Sequence, residues 1–411
     1  MTDSVEAFAT RARAWLAENL PQVDPARPPL GDRGDDDAWQ RARELQKRLY
    51  AGGFAGICFP REYGGLGLDV EYQKAFNTEA FGYEMPLILN IPTFSICCAT
   101  LLDMGSEEQK RQHISAALRG EEVLVQLLSE PSGGSDLAGL ITRADRDGDA
   151  WVVNGAKTWS TSAFAADYGL LLARTDWTVP KHEGLTMFLA PINAPGVTLR
   201  RIRQVDGSTE FCEEFFDGLR LTDRAVVGEV NKGWEVASRL LFHERRAVGH
   251  GSEFASGRGR ERSEDALIDF FALAEAAGQA DDAATQDKVG RVFARRMVRD
   301  RLVDRVSRAM RDGALPPAAG SIIRLFHSDV TFLEVDTAME ITGSSGVVDD
   351  DHRLLKVGER YLSRQTVALG GGSNEMARNV ISERVLGFPR EYAADRGVPF
   401  NQVRYNERAR D

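Results

Sequence analysis

A short loop from Gln126 to Leu140, Q-L-L-S-E-P-S-G-G-S-D-L-A-G-L, has the residue types that suit binding of a flat, hydrogen-bonding heterocycle. The apolar run that ends at Leu128 becomes polar, and a proline then stops any regular element. The Gly133-Gly134 pair lets the backbone approach a ligand closely, and Ser135 and Asp136 add small polar groups. Taken alone, the same residues also describe a glycine-containing surface turn.

Two further polar blocks accompany this loop. N-G-A-K-T-W-S-T-S spans Asn154–Ser162, and G-G-G-S-N-E-M-A-R-N-V-I-S-E-R-V-L-G-F-P-R spans Gly370–Arg390. With the three blocks in this order, the sequence from Trp39 to Arg390 resembles the acyl-CoA dehydrogenase family. The S-E-P-x-x-G-S-D loop is the most specific signature of that family. The closest resemblance is to the subset that carries its catalytic base on the helix after the β domain.

The resemblance implies an FAD-dependent oxidoreductase that converts an acyl-CoA thioester to its trans-2-enoyl-CoA and passes electrons to an electron-transfer flavoprotein. In this reaction a carboxylate removes the α-proton while the β-hydrogen leaves as hydride to flavin N5. The site therefore needs a base, donors that polarise the thioester carbonyl, and a flavin held against the substrate.

Glu244 is the predicted catalytic base. Most relatives carry this glutamate on a C-terminal loop, at the position that Gly371 occupies here. A minority carry it on the first helix after the β domain, before an arginine that meets the substrate, and L-L-F-H-E-R-R-A-V places Glu244 and Arg245 there. The alternative is a charged surface run that Glu244 forms with Arg245 and Arg246. His243 is the next candidate base, although a histidine beside a glutamate on a helix is more often structural.

The resemblance also assigns cofactor and substrate contacts. The residues expected along or over the flavin ring are Gln126, Leu128, Ser129, Gly134, Ser135, Trp159 and Thr161. Ser135 is also expected to meet the CoA moiety, and the backbone N–H of Gly371 is expected to polarise the thioester carbonyl. The Trp159 indole, placed over the flavin, would shield the cofactor from solvent. The alternative is that Trp159 is a core aromatic residue that follows a turn.

The remaining cofactor contacts are expected late in the chain. They are Glu340, Gly343, Ser373 and Glu375. In relatives, a Q-x-x-G-G-x-G block of a neighbouring subunit clasps the adenine end of the cofactor, and here that block reads E-I-T-G-S-S-G. Glu340 brings negative charge near the pyrophosphate, and Ser344 replaces the second glycine. These departures favour a second hypothesis, a flavin-poor, non-catalytic subunit of a heteromeric complex. A third hypothesis is an acyl-CoA oxidase that uses oxygen.

Composition limits the classes of partner. The chain of 411 residues is 43% hydrophobic and 27% charged, as soluble globular proteins are, and its net charge of −11 argues against nucleic acid. No apolar run of about 18 residues is identified, so no membrane span is expected. The four cysteines show neither metal-site nor disulfide spacing, which favours a reducing cytoplasm. We expect a homo- or hetero-oligomer, a dimer or tetramer, because the flavin site of relatives spans two subunits.

Hydrophobic periodicity predicts an α+β chain. The predicted parts are an N-terminal α-helical domain (1–120), a middle β-barrel or sandwich domain (121–230), a C-terminal α-helical bundle (231–390) and a charged tail (391–411). Pro21–Asp37 is rich in proline and predicts a linker. The D-R-D-G-D sequence at Asp145–Asp149 predicts a hairpin turn, and Asn231–Gly249 predicts the first helix of the bundle.

Overall fold

The computed structural model describes residues 3–23, 33–248, 251–257, 268–348 and 355–403. These residues form two compact units. The first unit takes its described residues from 1–203, 208–261 and 394–411, and the second takes its described residues from 204–207 and 262–393. The order helix, sheet, helix confirms the predicted α+β class. Part of the predicted linker, residues 24–32, lies outside the described residues.

Eight α-helices of the first unit are described. They are α1 (Val5–Asn19), α2 (Asp36–Ala51), α3 (Val70–Glu79), α4 (Leu87–Leu89), α5 (Ala99–Met104), α6 (Glu107–Gln109), α7 (Ser115–Leu118) and α8 (Gly233–Val248). In the long helices α1 and α2, apolar residues at helical spacing are buried on one face. In α1, Phe8, Ala12 and Leu16 recur every four residues and are buried, and the Ser4 hydroxyl caps the helix by accepting the N–H of Ala7.

The described strands of the first unit form one mixed sheet. They are β1 (Leu124–Leu127), β2 (Arg143–Asp147), β3 (Ala150–Thr161), β4 (Tyr168–Arg174), β5 (Leu185–Pro191), β6 (Val197–Ile202), β7 (Phe211–Thr222) and β8 (Val226–Val227). The order is β6-β7-β3-β2-β4-β5-β8, and β1 pairs in parallel with β4. The predicted hairpin is confirmed between β2 and β3, where Gly148 takes a φ of 61° that favours glycine.

A long apolar stretch lies between the early helices and the sheet. The segment Leu87–Met104 is 18 residues long. It consists of α4, a π-helical segment at Asn90–Cys98, and α5. The prediction that the chain holds no apolar run of about 18 residues is therefore wrong. By length and composition this stretch could cross a membrane, but 72% of it is buried within the protein, as in a core helix. The Thr93 hydroxyl accepts the N–H of Leu124 and donates to its carbonyl, so this stretch holds the start of β1.

Helix α8 belongs to the first unit, although the predicted domain boundary at residue 231 separates it from the sheet. The helix packs against β5 and against Asn90–Cys98, because its apolar residues form one stripe. Val236, Ala237, Leu240 and Ala247 are buried along that stripe. The predicted helix Asn231–Gly249 is thus observed as Gly233–Val248, and Gly249 lies outside the described residues.

The end of the chain contributes to the first unit. The sequence predicts a tail at 391–411, whereas Phe400 is 2% exposed and its N–H donates to the carbonyl of Val179. The buried guanidinium of Arg174 lies 3.5 Å from the centre of the Phe400 ring. Phe400, with Arg174 as its cationic partner, therefore anchors this segment to the first unit. The charged, turn-rich composition that predicted a tail does not reveal such a contact between distant residues. Residues 404–411 lie outside the described residues.

The second unit is helical in its described part. Its α-helices are α9 (Phe270–Ala276), α10 (Ala283–Arg311), α11 (Gly320–Thr342), α12 (Leu355–Ser363) and α13 (Asn374–Val380). Phe270, Val292 and Ile341 are buried in its core. The Arg296 guanidinium donates to the Glu334 carboxylate at 2.7 Å, and both side chains are about one-tenth exposed. The predicted C-terminal α-helical bundle is confirmed.

Candidate active site

The loop after β1 is held in place by the buried carboxylate of Glu130. Glu130 accepts the backbone N–H groups of Ile141 at 2.7 Å and of Thr142 at 2.8 Å. The Lys157 ammonium donates to the Glu130 carboxylate at 2.9 Å and to the Leu128 carbonyl at 3.0 Å. Glu130 and Gly133 also exchange backbone hydrogen bonds. The base of the loop is therefore fixed, while its tip from Ser132 to Asp136 is exposed.

Electrostatics strengthen this clamp. The Lys157 side chain is fully buried and the Glu130 side chain is 2% exposed. Burial is the largest single influence on the pKa of Glu130 and would raise it, but Lys157 and the donated N–H groups outweigh it and lower that pKa. The glutamate of the S-E-P motif and the lysine of N-G-A-K are the only signals of this pair in the sequence, and neither marks it as functional.

The residues of the first unit that are predicted to hold the flavin ring lie near this clamp. Leu128 is buried, and the carbonyl of Ser129 accepts the N–H of Thr158 at 2.9 Å. The loop folds back so that a Cβ added to Gly134 would lie 3.2 Å from the Ser129 hydroxyl oxygen. Ser135 is exposed on the same loop. The structure therefore brings the predicted loop residues to the strand segment that carries the predicted indole.

Trp159 has a special position in β3. Thr158 pairs with Glu213 and Ser160 pairs with Cys212, so Trp159 is the extra residue of a β-bulge. Its φ of 62° is in the left-handed region that bulky residues rarely adopt, and its side chain is 56% exposed. The alternative of a core aromatic is therefore wrong. A bulge that presents a large exposed ring at a backbone cost is typical of a functional site.

Substitution of Trp159 tests this backbone conformation. In an ordinary strand, glycine is less stable than alanine by about 0.5–1 kcal/mol. In the left-handed region the order reverses, so we expect Trp159→Gly to be more stable than Trp159→Ala by about 1 kcal/mol. Urea unfolding of the two FAD-free variants measures the difference. Val152, an ordinary residue of β3 that pairs with Arg220, gives the control pair, for which alanine should be the more stable. If the same variant, glycine or alanine, were the more stable one at both positions, the left-handed backbone conformation of Trp159 would be contradicted.

Thr161 lies beyond the bulge, at the end of β3. It pairs with Phe211, whose ring lies 5.8 Å from the Trp159 ring in an edge-on arrangement. Thr161 is half-buried. The structure thus places Thr161 and Trp159 together at one end of the β3–β7 ladder.

A second buried carboxylate lies under the bulge. Glu214 of β7 pairs directly with Lys157 of β3, and one of its oxygens accepts the Ser160 hydroxyl at 2.9 Å. Its Oε1 has no hydrogen-bond partner among the described residues. Burial raises the pKa of Glu214 to about 8.

The raised pKa predicts a pH dependence of stability. The folded protein holds a proton on Glu214 that the unfolded chain has already released, so the free energy of unfolding falls as the pH rises from about 4.5 to about 8. This single group contributes a slope of at most about 1.4 kcal/mol per pH unit. The Glu214→Gln variant lacks this pH dependence. Its melting temperature, measured relative to that of the unsubstituted protein, should therefore increase from pH 5 to pH 8. A constant difference between the two melting temperatures would contradict the prediction.

Glu244 lies on the packed side of α8. It follows Leu240 by four residues and precedes Ala247 by three, and both of these are buried. The side-chain amide of Gln126 in β1 donates from Nε2 to Glu244 Oε2 at 2.9 Å. Arg246 instead binds Glu253 at 2.5 Å. The alternative of a wholly exposed charged run is not what the structure shows, because Glu244 contacts the strand that leads into the loop.

The neighbours of Glu244 on α8 differ in their environment. His243 is buried, and its Nε2 lies 2.7 Å from the Asp103 carboxylate, which also accepts a hydrogen bond from Arg239. Burial lowers the pKa of His243. This tie between α8 and α5 supports a structural role for His243. Arg245 is exposed.

The predicted cofactor residues of the second unit are already partly engaged. Glu340 forms an ion pair with Lys288 at 2.7 Å, so its charge is balanced from α10. Gly343 has a φ of 55° just after α11. The Ser373 hydroxyl caps α13 by accepting the N–H of Met376, and the exposed Glu375 follows it. Both Ser373 and Glu375 lie in the first turn of that helix or directly before it.

Gly371 has a φ of 68°, and Gly372 has a φ of 102°. A glutamate at position 371 would therefore adopt a strained backbone conformation. This observation agrees with the absence of the usual loop carboxylate.

The tip of the loop is tied to the end of the chain. Lys181 donates to Asp136 at 2.9 Å and to Asp395 at 2.6 Å. A cavity of about 670 Å³ lies beside these residues, with Ser132 and Phe400 also in its wall. The docked C-terminal segment thus supports the exposed tip of the loop.

Together these features define a class of protein: a mixed sheet follows one helical region in the chain and precedes another, and a glycine loop beside an exposed bulged tryptophan adjoins a helix-borne carboxylate. Comparison with known proteins assigns the family. The descriptions "Acyl-CoA dehydrogenase" N-terminal, middle and C-terminal domain match residues 2–121, 126–219 and 231–386. The chain is 33% identical over 397 residues to acyl-CoA dehydrogenase IpdE1 of Mycobacterium tuberculosis, covering 94% of this chain and 98% of that protein.

Solved structures agree with this assignment. A structure titled "Tcur3481-Tcur3483 steroid ACAD" is 27% identical, with a TM-score of 0.73, over 95% of this chain and 99% of that chain. The ChsE4–ChsE5 complex of Mycobacterium tuberculosis has the same fold, with 24% identity and a TM-score of 0.66, over 95% of this chain and 99% of that chain. The protein belongs to the acyl-CoA dehydrogenase family, whose members are oxidoreductases that bind FAD.

The residues of the first unit fit a flavin. The loop tip is exposed above a fixed base, and Trp159 is displayed on a bulge beside it. The Oε1 atom of Gln126 is buried and has no partner among the described residues. The identity of the individual cofactor contacts stays a prediction.

Proposed function

We propose that this chain catalyses α,β-dehydrogenation of an acyl-CoA thioester to the trans-2-enoyl-CoA, with Glu244 as the base that removes the α-proton. One observation carries the proposal. The 2.9 Å hydrogen bond between Gln126 and Glu244 connects a carboxylate of α8 to β1, two residues before Leu128 and three before Ser129. A general base must lie within reach of the proton that it abstracts, and this contact beside the S-E-P-x-x-G-S-D signature loop supports that role for Glu244.

The protein residues have distinct roles in this proposal. Leu128, Ser129, Gly134, Ser135 and Thr161 hold the flavin ring, and the Trp159 indole keeps water from it. Bound FAD supplies the acceptor for the hydride that leaves the β-carbon. The Glu130–Lys157 clamp keeps the loop in place.

In this proposal, Arg245 and the backbone N–H of Gly371 contact the substrate. The residues that contact the cofactor are Glu340, Gly343, Ser373 and Glu375. All of these stay predictions.

The comparisons support a bulky substrate and a mixed oligomer. One similar structure is titled a steroid ACAD with two chain names, and another is a complex of two named chains. We therefore propose a sterol-derived or branched acyl-CoA as substrate. The proposed active form is a homo- or hetero-oligomer, located in the cytoplasm, in which this chain binds its own FAD. Electron-transfer flavoprotein is the proposed acceptor.

A flavin-poor, non-catalytic subunit is the second candidate. The observation that favours it is Glu340, which stands where relatives present an uncharged amide to the cofactor. In this structure Lys288 balances the charge of Glu340, which weakens that argument. The bond between Gln126 and Glu244 favours the catalytic role.

The test starts from the visible spectrum of the full chain, purified alone and with added FAD. We expect a flavin band that bleaches anaerobically with at least one thioester from a panel of straight, branched and steroid-side-chain acyl-CoAs. A colourless chain that takes up no FAD would support the partner-subunit candidate instead. Rapid reoxidation by oxygen, with hydrogen peroxide released at each turnover, would show an oxidase.

A further inference from the structure

Gln126 has a half-satisfied side chain at the proposed base. Its Nε2 donates to Glu244 Oε2 at 2.9 Å, and its Oε1 is buried without a hydrogen-bond partner among the described residues. A buried amide oxygen without a partner is costly and rare in native proteins. The backbone around Gln126 is paired, since Gln126 is opposite Leu170 in the β1–β4 ladder and Thr93 bonds the backbone of Leu124 at the start of β1. The spare acceptor therefore belongs to the Gln126 side chain and not to an unpaired strand backbone.

A catalytic carboxylate exists in two forms that need opposite partners. Before proton transfer it is a carboxylate and only accepts hydrogen bonds, and after proton transfer it is a carboxylic acid whose O–H donates. A primary amide has a donor and an acceptor of nearly the same size on one carbon, and half a turn of that group exchanges them. Glutamine is thus suited to both forms, whereas lysine or arginine would serve only the carboxylate.

We infer that Gln126 is a positioning residue that holds Glu244 in both protonation forms, donating from Nε2 to the carboxylate and accepting at Oε1 from the carboxylic acid. In the step concerned, the α-carbon–hydrogen bond breaks, the proton bonds to a Glu244 oxygen, and the electron pair stays with the substrate. This inference rests on the proposed function of Glu244. It changes the role predicted for Gln126, which the family resemblance places along the flavin edge.

Surrounding groups support a role centred on the carboxylate. Cys97 lies in the π-helical segment Asn90–Cys98, which packs on α8, and its thiol is fully buried. Burial raises the pKa of this thiol well above the usual range, with smaller contributions from Cys98 and from the charge of Glu244. The Gln126 amide contacts Glu244 directly, and the helix that carries Glu244 packs against the segment Asn90–Cys98 that carries the buried Cys97. Gln126 is the one side chain recorded as donating to Glu244 in the part of the chain that the structure describes.

The test compares Gln126→Leu, which has neither donor nor acceptor, with Gln126→Glu, which replaces the donor by a second carboxylate. The readouts are kcat and KM across pH, FAD content and melting temperature of the full chain in its active oligomer. For Gln126→Leu we expect FAD content and KM to be unchanged, kcat to fall about tenfold, and the acid limb of the kcat/KM profile to move about one pH unit upward. The limb moves upward because the carboxylate loses its donor. Gln126→Glu should move it further, because like charges disfavour the ionised form.

The matched control is Gln46→Leu. Gln46 is also a buried glutamine, and it donates to the Leu118 carbonyl, so this variant loses a comparable hydrogen bond away from Glu244. We expect its pH profile to match that of the unsubstituted protein. If the profiles of both Gln126 variants also match it while Glu244→Gln is inactive, the inference is overturned and the proposed function stands. Loss of FAD with an unmoved acid limb would make Gln126 a flavin contact and also overturn it. Full activity in Glu244→Gln would overturn the proposed function itself.

Discussion

A Glu244→Gln variant should keep its FAD and its melting temperature but lose between about 100-fold and 10,000-fold in turnover of its acyl-CoA substrate. The loss is large because the amide cannot accept the α-proton. The structure explains why the fold should survive. Glutamine has the same shape, and its side-chain oxygen can still accept the hydrogen bond from Gln126 that Glu244 accepts at 2.9 Å. Steady-state turnover with the thioester that bleaches the flavin fastest measures the effect.

The control for this prediction lies on the same helix. Glu235 is an exposed glutamate in the first turn of α8, with its side chain 66% exposed, and Glu235→Gln makes the same chemical change. We expect the turnover of Glu235→Gln to stay within twofold of the unsubstituted protein. A Glu244→Gln variant that turns over as fast as this control would remove Glu244 from the mechanism.

Replacing Lys157 by methionine should destabilise the protein by about 3–5 kcal/mol, because it leaves the Glu130 carboxylate buried without its cation. The Lys157 side chain is fully buried, and its ammonium also holds the Leu128 carbonyl. We therefore expect the loop to lose its fixed base, so that the purified variant contains little FAD. Urea unfolding of the FAD-free proteins measures the stability separately from cofactor binding.

A surface ion pair on the same sheet gives the matched control. Arg220 of β7 binds Asp147 of β2 at 2.8 Å, with side chains 57% and 64% exposed. Exposed pairs contribute about 1 kcal/mol or less, so Arg220→Met should be nearly neutral and should retain FAD. The double variant Glu130→Gln with Lys157→Met should be less destabilised than the sum of the two single variants, since both partners are then uncharged. A Lys157→Met protein within about 1 kcal/mol of the unsubstituted protein would show that the clamp is not important for stability.

Local patterns predicted those parts of the fold that local physics decides. The apolar stripe of Asn231–Gly249 predicted a helix, and α8 is observed at Gly233–Val248. The D-R-D-G-D sequence predicted the β2–β3 hairpin, since Gly148 can adopt the positive φ that the turn needs. The S-E-P-S-G-G-S-D loop was identified from residues that are close in sequence. In each case the controlling residues are neighbours along the chain.

The parts that the sequence did not predict depend on contacts between distant residues. The bond between Gln126 and Glu244 joins positions 118 residues apart, and that between Lys157 and Glu130 joins positions 27 apart. No periodic pattern marks either pair. The positive φ of Trp159 is set by the ladder between β3 and β7, because an extra residue must be accommodated between two paired positions.

In the proposed mechanism, Glu244 removes the α-proton. A 3-thia acyl-CoA has sulfur in place of the β-carbon, so no β-hydride can leave and only the acid–base half of the reaction can occur. The most direct measurement is deuterium incorporation at the α-carbon of this analogue in D₂O, followed by mass spectrometry. We predict steady incorporation with the unsubstituted protein and with Glu235→Gln, and none above the solvent rate with Glu244→Gln. Equal incorporation with all three proteins would contradict the claim and would assign the proton transfer to another residue.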